Sequence, residues 1–362
     1  MKLNYFTVGP SNLHPKFGEF IEQAGREDIG SISHRGEKFM ELYEDLSSNL
    51  KKLLNIPDEY YVFYACSATE FMERVVQNCS EKNTLHFVDG YFSKKFSEIS
   101  KDQGRVSTEI LAREDRSFSL EDIPSDCDPE LICMTHNETT NGVLLPNSFL
   151  EKVYEKFPDK LIALDIVSSA PVCDVDFSKV DCAFFSVQKG FGLPAGLGVL
   201  FVSPRALKKA EEIEKKNKQY TGSYHSFASF LKYSEKNQTP ETPNVFGMYL
   251  LNEVCKDYLS VGVENLKSEI KVKAKLIYST LEKCKELKPL INNKEMRSET
   301  VIVAETKNGS KKIIESLKEK GFLVASGYGE DKEKQIRLGN FPSHSRQEVE
   351  EFCRVLKGLV LT

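Results

Sequence analysis

One lysine, Lys189, stands in a context that suits covalent chemistry with a carbonyl group. It follows the mostly apolar run 180–188 and precedes the glycine-rich segment 190–196, so the sequence predicts a buried strand that ends in a loop at this lysine. The carboxyl ends of strands are where open α/β sheets bind ligands. A lysine withdrawn from water has a lowered pKa, and its neutral amine can form a Schiff base. The alternative is a solvated surface charge, which most single lysines are.

A second candidate, Asp165, ends the apolar run 161–164 that precedes Lys189 in the chain. Taken singly, an aspartate at a strand end usually caps a turn. Together with the lysine it fits another role, because pyridoxal phosphate needs a carboxylate against its pyridine nitrogen to act as an electron sink. An aspartate on the neighbouring strand could reach that nitrogen. The two residues together indicate a pyridoxal-phosphate enzyme.

A third feature could hold a phosphate group. Ser67, Ala68 and Thr69 form a turn of small residues between a predicted strand, 60–65, and a predicted helix, 69–78. Free backbone N–H groups at the start of a helix bind phosphate. Small residues at such a turn also act simply as helix caps, so the pattern by itself leaves both roles open.

The elements that must position these candidates alternate between strands and helices through the first two thirds of the chain. This alternation is typical of βαβ units, and it predicts an α/β fold with a mostly parallel, doubly wound sheet and helices on both faces. Strands are expected at 60–65, 85–88, 131–134, 161–165, 182–186 and 197–202.

The last third of the chain has a different pattern. Long, charged helices begin near Met248, and the lysine-rich stretch 267–275 is expected to be a solvated helix face. The later elements are expected as a strand at 300–304, a helix at 311–320, strands near Phe322 and Ile336, and a final helix from about Arg346.

The length of 362 residues exceeds what one hydrophobic core usually supports. We therefore expect two domains. The larger one, over residues 15–255, would bind the cofactor. The smaller α+β domain would cover residues 256–362, with the N-terminal segment 1–14 packing on it.

Composition excludes several classes of function. The net charge is −5 and basic residues do not cluster, which gives no reason to expect nucleic acid as a partner. Nine cysteines without a CxxC pair favour reduced thiols over disulfides or a zinc site, and no metal is expected. No segment resembles a signal peptide or reaches the length of a membrane helix, so we expect a cytoplasmic enzyme that does not bind membranes.

Several short segments together resemble the class V, fold-type I aminotransferases, and within that group the phosphoserine aminotransferases. The resemblance spans nearly the whole chain, and the order and spacing of its segments make it specific. The segments are Thr7-Val8-Gly9-Pro10, Ser33-His34-Arg35-Gly36, Ser67-Ala68-Thr69, Gly90-Tyr91-Phe92, His136-Asn137-Glu138-Thr139-Thr140-Asn141-Gly142, Asp165, Gln188-Lys189-Gly190, Thr242-Pro243 and Ile336-Arg337.

The resemblance implies a set of cofactor contacts. Lys189 would form the Schiff base with pyridoxal 5′-phosphate, and Asp165 would pair with the pyridine nitrogen. Phe92 would stack on the ring, where phosphoserine aminotransferases usually place a tryptophan, and an aromatic face suffices for this. The remaining implied cofactor-binding residues are Ser67, Ala68, Thr69, Thr139, Ser168 and Gln188, with Thr242 supplied by a neighbouring subunit. That last contact implies a homodimer with shared active sites.

The resemblance also implies a substrate site. Arg337 would clamp the substrate α-carboxylate, which a guanidinium matches with two hydrogen bonds. His34 and Arg35 would approach the substrate side chain, and such a pair suits a phosphate or a dicarboxylate; the alternative is that they cap the following helix. The implied reaction is amino transfer from O-phospho-L-serine to 2-oxoglutarate in serine biosynthesis, with Lys189 as the general base.

Other enzyme functions are compared with this interpretation. Many phosphoserine aminotransferases carry an arginine where this chain has Thr69, so alanine–glyoxylate and serine–pyruvate aminotransferases are close rivals. A cysteine desulfurase needs a nucleophilic cysteine on a mobile loop, but Cys284 and Cys353 lie in helical patterns and the loop 326–329 has none. A zinc deaminase is excluded because no PCxxC follows His136-Asn137-Glu138.

Overall fold

The structure is a computed structural model that describes residues 3–216 and 222–360. Residues 1, 2, 361 and 362 of the predicted smaller domain lie outside the described residues. The helices are α1 (Phe17–Arg26), α2 (Glu37–Leu54), α3 (Ala68–Cys79), α4 (Tyr91–Asp102), α5 (Asn147–Lys156), α6 (Pro204–Lys216), α7 (Phe227–Ser234), α8 (Val245–Val261), α9 (Val263–Leu281), α10 (Lys311–Glu319) and α11 (Arg346–Val360). The strands are β1 (Asn4–Phe6), β2 (Tyr61–Ala65), β3 (Asn83–Val88), β4 (Val106–Leu111), β5 (Leu131–Thr135), β6 (Asn137–Glu138), β7 (Val143–Leu144), β8 (Leu161–Asp165), β9 (Cys182–Ser186), β10 (Gly198–Val202), β11 (Leu287–Pro289), β12 (Val301–Thr306), β13 (Phe322–Ser326) and β14 (Gln335–Gly339).

A seven-stranded sheet forms the centre of the larger half of the molecule. Its strand order is β2-β10-β9-β8-β5-β3-β4, and all neighbours are parallel except β10, which runs antiparallel to β2 and β9. Strands β8, β9 and β10 are buried along their whole length, as strands covered on both faces are. The predicted α/β fold with a mostly parallel sheet is therefore confirmed.

Helices cover both faces of this sheet because successive side chains of each strand point to opposite sides. On one face, Ile132 and Met134 of β5 join the core that contains α2 and α8. On the other face, Leu131 and Cys133 of the same strand join the core that contains α3, α4 and α7. The sheet is thus doubly wound.

A five-stranded sheet lies in the C-terminal third, in the order β1-β13-β14-β12-β11. The N-terminal strand β1 runs parallel to β13, and the other pairs are antiparallel. Helix α8 crosses the predicted domain boundary at residue 255, so the position of that boundary stays a prediction. Within the described residues, no helix is both long enough and apolar enough to cross a membrane.

Two expectations for the C-terminal third were wrong at single residues. Lys273, within the stretch expected to be a solvated helix face, is 2% exposed and donates hydrogen bonds to the carbonyl oxygens of Phe341 (3.0 Å) and His344 (2.6 Å). The reason is that α9 packs against α11, so its inner face, which includes Lys273, is covered. Cys284 does not lie in a helix either, because α9 ends three residues before it.

Candidate active site

The structure places Asp165 and Lys189 at the same edge of the seven-stranded sheet. Asp165 is the last residue of β8 and lies opposite Phe184 of the parallel strand β9. Lys189 follows the end of β9 by three residues, in a turn. Since both strands end at this edge, both residues lie there, near enough for the charge of each to affect the pKa of the other.

The Lys189 side chain is withdrawn from water. It is 6% exposed, its Nζ donates a hydrogen bond to Thr139 Oγ1 (2.7 Å), and the same nitrogen lies 5.4 Å from the centre of the Phe92 ring. Burial lowers the pKa of Lys189, and the Asp165 and Glu138 carboxylates partly oppose this shift. A lysine in such surroundings gives up its proton more readily than a surface lysine does.

The Asp165 carboxyl group is also buried, at 3% exposure, and one of its oxygens accepts a hydrogen bond from the N–H of Val167 (2.8 Å). Burial raises the pKa of Asp165, whereas the Val167 N–H and the charge on Lys189 lower it. A buried carboxylate of this kind gains stability from a positively charged partner. A protonated pyridine nitrogen would be such a partner, so Asp165 fits the cofactor.

A hydrogen-bonded network surrounds Thr139, the residue that accepts the hydrogen bond of Lys189. Thr139 donates to Ser168 Oγ (3.1 Å), and Asn137 Nδ2 donates to both Ser168 Oγ (3.0 Å) and Thr300 Oγ1 (3.1 Å). Thr300 in turn donates to the carbonyl oxygen of Ser168 (2.5 Å). Because Thr300 immediately precedes β12, the network connects the larger sheet to the start of a strand of the smaller sheet.

Arg337 reaches this centre from β14. Its Nε donates to the carbonyl oxygen of Ser326 (2.8 Å), its Nη1 lies 3.5 Å from the carbonyl oxygen of Thr139, and its guanidinium carbon lies 5.4 Å from the centre of the Tyr328 ring. The structure therefore brings Arg337, Thr139 and Lys189 together. These contacts place the guanidinium beside Thr139, the residue that accepts the hydrogen bond of Lys189.

The predicted phosphate-binding turn lies at the start of α3. Ser67 caps this helix by accepting the N–H of Glu70 (3.2 Å), and the N–H of Ala68 donates to Ser186 Oγ (2.7 Å). Thr69 is exposed and remains accessible to a ligand. The turn thus combines a capping role with the N-terminus of a twelve-residue helix, where anions bind favourably.

Gln188, next to the lysine, offers a further contact for a ligand. Its Oε1 is buried and has no hydrogen-bond partner among the described residues. Buried polar atoms are normally paired, and the two ends of an amide are exchanged by a simple flip. The side chain can therefore present its NH₂ group to a phosphate, which fits the cofactor.

Three predicted site residues lie apart from Lys189 in the single chain. Thr242 is exposed and lines a cavity of about 190 Å³ together with Cys66 and Glu70. The guanidinium of Arg35 donates to the carbonyl oxygen of Thr239 (2.7 Å) and lies 4.6 Å from the centre of the Tyr233 ring. His34 is half-buried, and burial followed by the charge of Arg35 lowers its pKa.

Sequence reasoning gave no role to Gly9, although the residue touches the lysine. A Cβ atom on Gly9 would lie 2.8 Å from Lys189 Cγ and 2.9 Å from its Cε, and the φ angle of Gly9 is +131°. Only glycine combines this backbone conformation with such a close approach. The Gly9-Pro10 pair in the N-terminal segment was the sequence feature that marked this position. The sequence does not show that Gly9 packs against Lys189.

Three more residues near the centre had no predicted role: Tyr91 and Glu138 stand in the quoted motifs, and Tyr328 lies in the loop 326–329. Tyr91 and Tyr328 place their ring centres 4.6 Å apart beside Phe92, and Glu138 is 2% exposed. No three His, Cys, Asp or Glu side chains in residues 3–216 and 222–360 form a group suited to a metal ion.

Comparison with known proteins agrees with this geometry. A sequence profile described as Aminotransferase class-V matches residues 11–355. The chain belongs to the class-V aminotransferase family. It is a pyridoxal-phosphate-dependent transaminase, and the predicted enzyme class and cofactor are confirmed.

Among curated relatives, a phosphoserine aminotransferase from Rhodococcus opacus is 27% identical over 361 residues, which cover 98% of this chain and 94% of the relative. Among solved structures, a phosphoserine aminotransferase from Cytophaga hutchinsonii is 41% identical, with a TM-score of 0.95 and 98% of each chain covered. An alanine–glyoxylate aminotransferase from Nostoc is 22% identical, with a TM-score of 0.85 over 100% of this chain and 96% of that one, which shows a shared fold.

Proposed function

We propose that this transaminase exchanges the amino group between O-phospho-L-serine and 2-oxoglutarate, giving 3-phosphohydroxypyruvate and L-glutamate, as a step of serine biosynthesis in the cytoplasm. The observation that carries the choice of substrate is the 41% identity, over nearly the full length of both chains, to a phosphoserine aminotransferase. The alanine–glyoxylate enzyme with the same fold is 22% identical.

The bound cofactor would supply an electron sink for negative charge at the substrate α-carbon. Lys189 would hold the cofactor covalently through its amine and, once released by the substrate amine, would move the proton at the α-carbon. The burial that lowers the pKa of Lys189 supports both tasks, since each needs a neutral amine. Thr139 keeps the amine in place, and Asp165 would hold the proton on the pyridine nitrogen.

Arg337 would bind the substrate α-carboxylate. Its position is supported by the hydrogen bond to Ser326, which fixes Nε and so orients the planar guanidinium toward the site. An arginine held in this way loses little conformational freedom when it binds a carboxylate with two hydrogen bonds.

The substrate phosphate would be bound by His34 and Arg35 of a second subunit, which would also supply Thr242 to the cofactor phosphate. Arg35 donates hydrogen bonds to Gln238, Thr239 and Pro240, in a segment that ends two residues before Thr242. A partner that brings Thr242 into the site would therefore bring Arg35 with it. This linkage supports a homodimer with shared active sites.

The test is a half-reaction experiment on purified holoenzyme. Phosphoserine, glutamate, alanine and serine are added separately, without an oxo acid, and the loss of the visible cofactor band is followed. We expect phosphoserine and glutamate to react fastest. Faster reaction with alanine or serine would contradict the substrate and favour an alanine–glyoxylate or serine–pyruvate type enzyme, in line with Thr69 in place of arginine.

A further inference from the structure

Glu138 is a buried carboxylate that contacts the start of helix α4 and has no part in the roles given above. Its Oε1 accepts hydrogen bonds from the N–H of Phe92 (3.4 Å) and from the N–H and hydroxyl of Thr140 (3.2 and 2.8 Å). Its Oε2 accepts from the N–H and hydroxyl of Ser93 (3.0 and 3.1 Å). Five donors thus surround this one carboxylate.

The Glu138 carboxylate caps the N-terminus of helix α4. The first N–H groups of a helix have no partner within it, and the residue at the cap of α4, Gly90, has no side chain to provide one. Glu138 supplies the acceptor instead and places negative charge at the helix N-terminus. A Cβ atom on Gly90 would lie 2.5 Å from Glu138 Cγ, so the glycine makes room for the carboxylate.

The helix start that Glu138 holds carries two aromatic rings of the site. Phe92 lies 5.4 Å from Lys189 Nζ, and its neighbour Tyr91 packs on Tyr328 with ring centres 4.6 Å apart. Tyr328 in turn faces the guanidinium of Arg337. A change in the angle of the first turn of α4 would therefore move the ring above the lysine.

The charge of Glu138 also acts on its surroundings. The titratable and charged groups around it are Lys189, Asp165, Arg337, Tyr328 and Asp89. Burial shifts the pKa of each of these groups first, and the Glu138 charge then raises it further for the acids or opposes the lowering for Lys189 and Arg337.

From these contacts we infer that Glu138 is a positioning residue of the transaminase. It fixes Phe92, which would stack on the cofactor ring, and it places a carboxylate near the lysine that would hold the cofactor. The inference rests on the proposed role of Lys189. One side chain would thus orient the stacking residue Phe92 and also contribute to the electrostatic environment of the Lys189 nitrogen.

The test compares wild-type holoenzyme with Glu138→Gln, which keeps the shape of the side chain and removes its charge. Two readouts separate a positioning role from a purely structural one: the circular dichroism of the cofactor band, and the pH midpoint of its absorbance change. A negative neighbour favours the protonated nitrogen, so its loss should lower the midpoint, by roughly one unit. We also expect the cofactor circular dichroism to weaken.

Glu130→Gln is the matched control. Glu130 is also a carboxylate that accepts several backbone N–H groups, from Glu81, Lys82 and Asn83, but it precedes β5 at the opposite edge of the sheet. We expect this variant to lose stability while both cofactor readouts stay as in the wild type. An equal change in both variants would overturn the inference, and so would a Glu138→Gln holoenzyme with wild-type readouts.

Glu138→Asp covers the case in which the glutamine variant does not fold. It keeps the charge and shortens the reach, so we expect a midpoint close to that of the wild type with weaker circular dichroism. Wild-type circular dichroism in this variant would contradict the positioning role. A wild-type protein without any cofactor band would instead contradict the proposed function, and that result is seen before any variant is made.

Discussion

The lysine end and the phosphate end of the proposed cofactor site differ in how deeply their residues are buried within the single chain. At the lysine end, Lys189, Asp165 and Thr139 are all at most 6% exposed and lie within one hydrogen-bonded and charged cluster. At the phosphate end, Thr69 and Thr242 are exposed. The lysine end is therefore built within one chain, whereas in the proposed homodimer a second copy would complete the phosphate end through Thr242.

The largest effect is expected for Lys189→Ala. Without the amine there is neither a covalent tether nor a base at the α-carbon, so amino transfer should fall by about a thousandfold or more. The measurement is the rate of the single half-reaction with phosphoserine under saturating cofactor.

Lys273→Met is the control, because it removes a second buried lysine, which lies in α9 and donates hydrogen bonds to two backbone carbonyl oxygens. It should lower stability without changing the rate per folded molecule. Near-normal turnover by Lys189→Ala would contradict the proposed role of Lys189 as cofactor tether and general base.

A smaller loss is expected for Asp165→Asn. The amide has no charge to hold a proton on the pyridine nitrogen, so the half-reaction should slow by about a hundredfold with the affinity for amino acids little changed. Asp181→Asn is the control, since Asp181 is likewise buried and accepts the N–H of Ile162. If both variants slow the reaction equally, the effect is one of stability.

Arg337→Lys should weaken binding of the amino donor more than it slows the reaction. A lysine cannot reproduce the two parallel hydrogen bonds of a guanidinium, so KM for the amino donor should rise by roughly ten- to a hundredfold. The rate at saturating donor should change less. Steady-state kinetics with phosphoserine measures both quantities, and an unchanged KM would remove Arg337 from the substrate site.

The smallest effect, and the one that sharpens the comparison most, is expected for Thr242→Val. Loss of one hydrogen bond should weaken the affinity for pyridoxal phosphate by up to about tenfold and leave the rate at saturating cofactor unchanged. A mixed dimer, with one Thr242→Val chain and one Lys189→Ala chain, shows whether Thr242 binds the cofactor of its own chain or that of the partner chain. If the partner supplies it, one site of that dimer regains wild-type affinity; if not, no site does.

Much of the cofactor site follows from the sequence. The strands ending at Asp165 and Ser186 were predicted with the bounds that the structure has, because a fully buried strand is a continuous apolar run between polar segments. The shared location of Asp165 and Lys189 then follows from parallel strands that end at one edge.

Other parts depend on contacts between distant segments and could not be predicted. Lys273 was wrongly placed on a solvated face, since composition does not show that a lysine stem is covered and its amine meets two carbonyl groups. Glu138 lies within a motif that was recognised, but its partners Phe92 and Ser93 come from a helix more than forty residues earlier. The charge of a side chain is visible in the sequence; the donors around it are not.

The most direct test of the central claim is to locate the covalent link. Holoenzyme is treated with borohydride, which reduces the bond between cofactor and protein to a stable amine, and is then digested and analysed by peptide mass spectrometry. The account predicts the cofactor on the peptide that contains Lys189 and on no other. An unmodified Lys189 peptide, or the cofactor on another lysine such as Lys273, would contradict it.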